Sequence, residues 1–328
     1  MRCELINLPF STSMQRRLDP PLYLLQLAPV LANEGFSVRV NDLNGMEHDQ
    51  WGFGNCMLYV IYVDVRSFNL AAKVTDKCRE INSNALVVVC GSGPSKMPKK
   101  YLDSGKFTAV IRGEAEVALC YFIRESILEM CDEVRKVFNS EVGNINKLPL
   151  PDRSLVEMNT YVRRLKNKKA TMIAGSRGSP FRPMWLCNGL KTFSVKRIAN
   201  EVDGIVKTYG IRCFFFSDES FTFDRERALS IAEMMHGKGL LFGFNDVIKS
   251  VDIDLYRKLE KLGAREVLLN PGNYRNADRG ACVQAGIEYG TNLRVTLKKD
   301  FKYTGPTHST SGENNGRGTV NTLHRKTR

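Results

Sequence analysis

The sequence predicts an α/β chain made of two parallel sheets in succession. The first is a Rossmann-like, doubly wound sheet, and the second is a run of β/α units forming part of a barrel. Three observations predict this. Short apolar strands, at residues 5–8, 36–40, 58–63, 86–89 and 108–111, alternate with helix-length segments of 3.6-residue periodicity. The alternation pauses at a polar stretch with two prolines, residues 139–152, and resumes at residue 170. At 328 residues, the chain is long enough for two cores.

In order, the first strand is followed by a helix at 20–32, which starts with prolines where a missing N–H costs nothing. Gly35 stops that helix, and the strand at 36–40 ends in Asp42-Leu43-Asn44-Gly45. The continuous apolar run at 58–63 is the third strand, followed by a helix at 70–81. The fourth strand ends in Cys90-Gly91-Ser92-Gly93-Pro94-Ser95 and the fifth in Arg112-Gly113-Glu114-Ala115-Glu116. An amphipathic helix is expected over 125–137. Parallel sheets bind ligands beyond the carboxyl ends of their strands, and these loops all lie on that edge. Glycines there also serve simple tight turning.

The basic run Arg163, Arg164, Lys166, Lys168 and Lys169 reads as a solvated connector, with contact to a polyanion as the alternative. A strand at 170–174 then breaks at Gly175. A helix at 195–209, stopped by Gly210, leads to strands at 213–217, 240–245 and 266–270, with helices at 225–236 and 252–262 between them. Asp218, Glu219 and Asn245 fall at strand carboxyl ends, where barrel chemistry sits. Asp218 and Glu219 serve equally well as a helix-capping pair, and Asp224 reads as an N-cap. Phe214–Phe216, Met234 and Met235 read as core. A last strand is expected at 292–297, and from 298 onward the composition is that of a disordered basic tail. The divisions are 1–125, a helix and linker at 126–168, 169–297, and the tail at 298–328.

Composition narrows the class. Hydrophobic residues at 43% and charged residues at 25% are those of a globular chain, and a net charge of +13 permits attraction to polyanions. The nine cysteines show no CxxC pair, so reduced thiols and a cytoplasmic location are expected. Neither a signal peptide nor a run of about 18 apolar residues is seen, so no membrane span is expected.

The stretch ATMIAGSRGSPFRPMWLCN at 170–188 resembles the first strand and cluster loop of radical S-adenosylmethionine enzymes, whose motif is S-R-G-C-P-F/Y-R-C-x-F-C. In that family the three thiolates hold a 4Fe-4S cluster whose fourth iron binds S-adenosylmethionine. Ser176, Arg177, Gly178, Pro180, Phe181 and Arg182 match the motif, but Ser179, Pro183 and Leu186 stand at the cysteine positions. Cys187, the nearby thiol and the candidate metal ligand, is one residue late. Within 1–125, PPLYLLQLAPVLANEGFSVRVNDLNG, VVVCGSGPSKMP and FTAVIRGEAEVAL resemble the cobalamin-binding domain that precedes many such cores, and Leu148-Pro149-Leu150-Pro151-Asp152-Arg153 resembles its connector. That resemblance implies cobalamin contacts at Asp42, Asn44, Gly45, Ser67, Gly91, Ser92, Gly93, Pro94, Gly113 and Glu114, and an S-adenosylmethionine contact at Glu219. The D-x-H-x-x-G motif is absent, as Asn44 stands two residues after Asp42. After the fourth strand of the second part, Asn270-Pro271-Gly272-Asn273 lacks the family's acid.

The resemblance thus implies a cobalamin-dependent radical S-adenosylmethionine enzyme of methyltransferase type, with a truncated, radical-SAM-type barrel. The missing thiolates predict that its cluster chemistry is lost, since iron–sulfur clusters need soft sulfur donors. Three alternatives stand beside this reading. They are a non-catalytic cobalamin-binding or scaffold protein, the product of a decayed or truncated gene, and a basic nucleic-acid-associated protein.

Overall fold

Six strands with apolar side chains on both faces make the first sheet, as expected when helices cover both sides. They are β1 (Arg2–Asn7), β2 (Ser37–Asp42), β3 (Leu58–Tyr62), β4 (Leu86–Cys90), β5 (Ala109–Gly113) and β6 (Lys136–Ser140). All pair in parallel, in the order β2-β1-β3-β4-β5-β6. Alternate side chains go to opposite faces. Leu5, Val60 and Val88 pack with Leu25 and Leu27 of α1 (Leu22–Asn33) and with Leu119 and Phe122 of α5 (Ala115–Ile123). Ile6, Ile61 and Val89 pack on the other side with Val74 of α2 (Phe68–Ile81) and Tyr101. Between β4 and β5 the chain forms two short helices, α3 (Ser92–Lys96) and α4 (Pro98–Asp103). The computed structural model describes residues 1–9, 17–128, 136–181, 186–247, 250–270 and 294–297.

The second sheet is also parallel, in the order β15-β14-β13-β12-β9. Its strands are β9 (Thr171–Ile173), β12 (Cys213–Phe216), β13 (Leu241–Val247), β14 (Ala264–Asn270) and β15 (Arg294–Leu297). The intervening helices start where short polar side chains satisfy free N–H groups. Ser194 caps α6 (Val195–Tyr209), Asp224 caps α7 (Arg225–Gly237) and Asp252 caps α8 (Ile253–Lys261). Gly210 ends α6 at φ 66°, in the left-handed region. Phe214, Phe216, Phe242 and Phe244 are fully buried among these helices, so the phenylalanine run is core as expected. Among the described residues, no helix is long and apolar enough to cross a membrane.

Three expectations are corrected. The helix expected over 125–137 does not run to its expected end: α5 ends at Ile123, a single π turn follows at Arg124–Leu128, and Lys136–Ser140 forms the edge strand β6, while 129–135 lie outside the described residues. The reason is tertiary, because β6 pairs with β5 and buries Phe138 against Phe122. The basic run at 163–169 is a hairpin of β7 (Arg164–Leu165) and β8 (Lys168–Lys169) rather than a loose connector. Its turn places Lys166 and Asn167 at positive φ, and Arg163 pairs with Asp19. The cluster-like loop opens with a strand, β10 (Ser176–Gly178), paired with β11 (Leu190–Thr192). The expected tail at 298–328 lies outside the described residues.

The connector at 148–153 is held from both sides. Pro29 inside α1 has no N–H to give Leu25, and the Leu25 carbonyl accepts from the Asp152 N–H at 2.8 Å instead. Arg153 is buried and reaches the Met172 carbonyl of β9 (2.9 Å) and Glu201 of α6 (2.7 Å). One side of the connector thus belongs to the first sheet's layers and the other to the second.

Gly113 has φ +96°, and a Cβ there would collide with the Ser140 carbonyl of β6. We expect Gly113→Ala to destabilise the fold by roughly 1–3 kcal/mol. Gly52→Ala, at a site with nothing within 4 Å of an added Cβ, should stay within about 0.5 kcal/mol of the parent in urea unfolding.

Candidate functional site

A doubly wound sheet opens a crevice where its strand order reverses. Here the reversal lies between β1 and β3, which flank each other while β2 lies outside β1. At that point the carboxyl edge of the first sheet faces that of the second across a cavity of about 550 Å³. Asn7 from the end of β1, Asn44 after β2 and Tyr62 from the end of β3 line one side. Ala174 and Ser176 after β9, and Ser217 after β12, line the other. The walls are mostly apolar, with Tyr23 and Tyr62 in ring contact (centroids 5.2 Å apart) and Phe193 supplied by the second unit.

One arginine crosses the floor of this cleft. Arg177, in β10, donates to Glu114 (2.9 Å), Glu116 (2.7 Å) and Gln26 (2.6 Å), all from the first unit. Its guanidinium also lies over the Tyr23 ring, 5.5 Å from the centroid. Burial opposes the charge, but the Glu116 and Glu114 carboxylates outweigh burial and raise the pKa of Arg177 above its ordinary value. Lys191, opposite Arg177 in the β10–β11 pair, bonds the second oxygen of Glu114 at 2.8 Å. Across the same seam Tyr161 donates to Asp42 at 2.8 Å, and Arg17 donates to the carbonyls of Asp42 and Asn44.

Of the residues that the resemblance assigns to cobalamin or S-adenosylmethionine, Asn44 lines the cleft and the others do not. Asp42 is buried, accepting from Asn7 at 2.8 Å as well as from Tyr161. Gly45 turns the loop beyond it at φ 69°, and Ser67 is buried at the start of α2. Ser92 and Pro94 belong to α3, with Gly91 as its N-cap. A Cβ on Gly91 would lie 2.6 Å from the Val63 carbonyl, and one on Gly93 2.5 Å from the Asp64 carbonyl. These two glycines therefore let α3 close onto the end of β3, leaving no cradle beside them. Gly113 and Glu114 are spent on β6 and on the Arg177–Lys191 pair.

On the second unit, Asp218 is buried and accepts from the N–H groups of Gly175 (2.6 Å) and Ser176 (2.9 Å), with Arg227 at 3.7 Å. It holds the break after β9 and caps no helix. Burial raises its pKa, against the opposing pull of Arg227. Glu219 follows it, half-buried. Asn245 is buried and donates to the Phe216 carbonyl, and its neighbour Asp246 accepts from Ser220, Thr222 and Tyr256. Burial pushes Asp246 up to about 6 despite those bonds.

At the cysteine positions of the motif, the Ser179 hydroxyl accepts from the Phe181 N–H at 3.2 Å and Leu186 is half-buried. Pro183 lies outside the described residues. The Cys187 thiol is buried, its sulfur 3.8 Å from the Gly189 carbonyl, and burial pushes its pKa up to about 11. Metal ligation needs the thiolate, so this environment works against it. Among the described residues, no group of three or more His, Cys, Asp or Glu side chains could hold a metal ion. The arrangement does not fit an iron–sulfur cluster.

The residues that sequence reasoning misses are Gln26, Tyr23, Tyr62, Phe193 and Arg197, all in the cleft wall. Their only signal is position at strand ends and on the two helices that meet there.

Two solved structures of TsrM from Kitasatospora setae, a radical S-adenosylmethionine methyltransferase, share this fold. Each matches with a TM-score of 0.63 at 16% identity over 90% of this chain, covering 67% and 66% of the respective TsrM chains. One contains tryptophan substrate and the S-adenosylmethionine analogue aza-SAM, and the other contains cobalamin and a 4Fe-4S cluster. An uncharacterized methyltransferase of Pyrococcus horikoshii is 27% identical over 190 residues, which cover 52% of this chain and 41% of that protein. The match thus spans less than half of that relative's length. No protein-family model matches the chain.

Two outcomes follow from this geometry. Arg177→Ala strands a buried carboxylate pair and should cost roughly 3–5 kcal/mol in denaturant unfolding. Arg177→Lys should recover only part of that, because a single ammonium nitrogen lacks the two spread terminal nitrogens with which the guanidinium reaches Glu114 on one side and Glu116 and Gln26 on the other. The second concerns pH. With Asp218 and Asp246 raised in the folded state, their protons bind more tightly there than in the unfolded chain. Their contribution is therefore greatest below the unfolded carboxylate range and is lost as pH rises through about 6 for Asp246. The urea midpoint should fall across that window, and Asp246→Asn should flatten the slope.

Proposed function

We propose that this chain is a relative of the cobalamin-binding radical S-adenosylmethionine methyltransferases that has given up cluster chemistry and acts as a ligand-binding protein. Its ligand is held in the cleft between the two sheets. One observation carries the reading: where three thiolates would be needed, the sequence offers Ser179, Pro183 and Leu186, which supply one hydroxyl and no sulfur. The fold likeness to TsrM and the match to the Pyrococcus horikoshii methyltransferase support the kinship.

The cleft is the part of the fold that remains suited to a ligand. It lies at the switch point of one sheet and the strand carboxyl ends of the other, mostly apolar with a few convergent polar groups. Cobalamin, bound in one of the TsrM structures, is the first ligand to test. Of the loop residues assigned to it by resemblance, Asp42, Gly91, Gly93, Gly113 and Glu114 are committed to the chain's own contacts, and Asn44 lines the cleft. Those five committed positions do not fit a corrin-binding loop.

The test is anaerobic purification followed by reconstitution with iron and sulfide. We expect iron and acid-labile sulfide well below cubane stoichiometry and no cleavage of S-adenosylmethionine on addition of reductant. Cubane stoichiometry together with release of deoxyadenosine would overturn the proposal.

A further inference from the structure

The lining of the cleft carries four charged side chains, and each is already spoken for within the chain. Asp19 pairs with Arg163, Arg177 with Glu114 and Glu116, and Glu201 with Arg153. Arg197 gives its two terminal nitrogens to the carbonyls of Leu148 (2.6 Å) and Pro149 (2.7 Å), and its guanidinium lies 4.7 Å from the Phe193 ring centroid. A charged ligand entering this space would meet Asp19, Arg177 and Glu201 already in ion pairs, and an Arg197 whose terminal nitrogens are already turned to backbone carbonyls.

The groups left over are of a different kind. Tyr23 and Tyr62 form an aromatic wall, and Phe193, Met172 and Pro21 supply further apolar lining. Among the described residues, the hydroxyls of Tyr62 and Ser217 make no hydrogen bond, and both residues line the cavity. The cavity of about 550 Å³ lies within the range of ordinary small-molecule sites. The two tyrosine rings, tilted 47° to each other, favour a ring system through face and edge contacts and desolvation, and two neutral hydroxyls fix its orientation by hydrogen bonds.

We propose that the cleft selects an uncharged, planar aromatic ligand, packed against the Tyr23–Tyr62 wall and hydrogen-bonded by the Tyr62 and Ser217 hydroxyls. This rests on the reading of the cleft as the ligand site and adds the chemical class that it takes. Ring area and hydroxyl contacts supply the affinity. The internal bonds supply discrimination, since these side chains would have to share or exchange partners to hold a carboxylate or an ammonium group.

The experiment titrates the full chain calorimetrically with three probes sharing one ring system: naphthol, naphthoate and naphthylmethylamine. Naphthol should bind about tenfold or more tightly than either charged analogue. Tyr62→Phe keeps the ring and removes the hydroxyl, and with Ser217→Ala it should weaken naphthol by about two- to tenfold each. Thermal unfolding of both variants checks that they remain folded. Equal or tighter binding of a charged probe would overturn the proposal, as would naphthol binding untouched by both variants. Cobalamin titrated into the same preparation separates the two readings: cobalamin bound without naphthol sinks the charge-balance inference and leaves the ligand-binding reading standing. A stoichiometric iron–sulfur cluster with naphthol selection intact does the reverse.

Discussion

The Arg177 fork is the contact on which the relation between the two sheets depends. A guanidinium is planar and carries five donors, so one side chain can hold Glu114, Glu116 and Gln26 together. Both carboxylates are almost wholly buried, and so is most of the arginine. Such an assembly gives little net stability over an apolar replacement, yet it strongly penalises any arrangement that separates its members. Here the members come from different units, so the penalty falls on sliding or opening at the seam. Lys191 reinforces it from the paired strand, and the Tyr161–Asp42 bond does the same farther along.

The fold was legible in the sequence to the extent that it rests on periodicity. The helix expected at 195–209 is α6 residue for residue, because Ser194 caps it and Gly210 stops it, and both signals are local. The strands at 58–63 and 86–89 were legible as continuous apolar runs, which is what burial on both faces demands. The strand at 136–140 was not, because KVFNS has too short an alternating pattern to stand out, and its pairing with β5 is a long-range contact. The β7–β8 hairpin failed for a similar reason: its turn uses Lys166 and Asn167 at positive φ in place of glycine.

The site was less legible than the fold. Loops at strand ends can be located from sequence, but what their side chains do depends on partners far along the chain. Asp42 reads as a loop acid open to a ligand, and its oxygens are taken by Asn7 and by Tyr161, 119 residues away. Gly91 and Gly93 read as a ligand cradle, and the space beside them is filled by the end of β3. Tyr62 and Phe193 are not singled out, since nothing in a sequence reveals which aromatic side chain ends at a cleft.

The loop that resembles a cluster site has an order of its own, independent of metal. Its first residues are fixed by Asp218, which takes the Gly175 and Ser176 N–H groups, and by Arg227, which bonds the Gly175 carbonyl. Its entering and leaving strands are paired as β10 and β11, and Arg177 anchors the pair to the first unit. In a loop organised by a metal, loss of the ligands would remove the cross-link that closes it. Here the ends are closed by backbone pairing and buried ion pairs, so these contacts stand with Ser179, Pro183 and Leu186 at the positions where the motif has cysteines. The cleft beside it inherits that rigidity. A scaffold whose walls are held by the chain's own contacts needs no cofactor to keep a cleft open, and that physical independence makes a binding role compatible with this sequence.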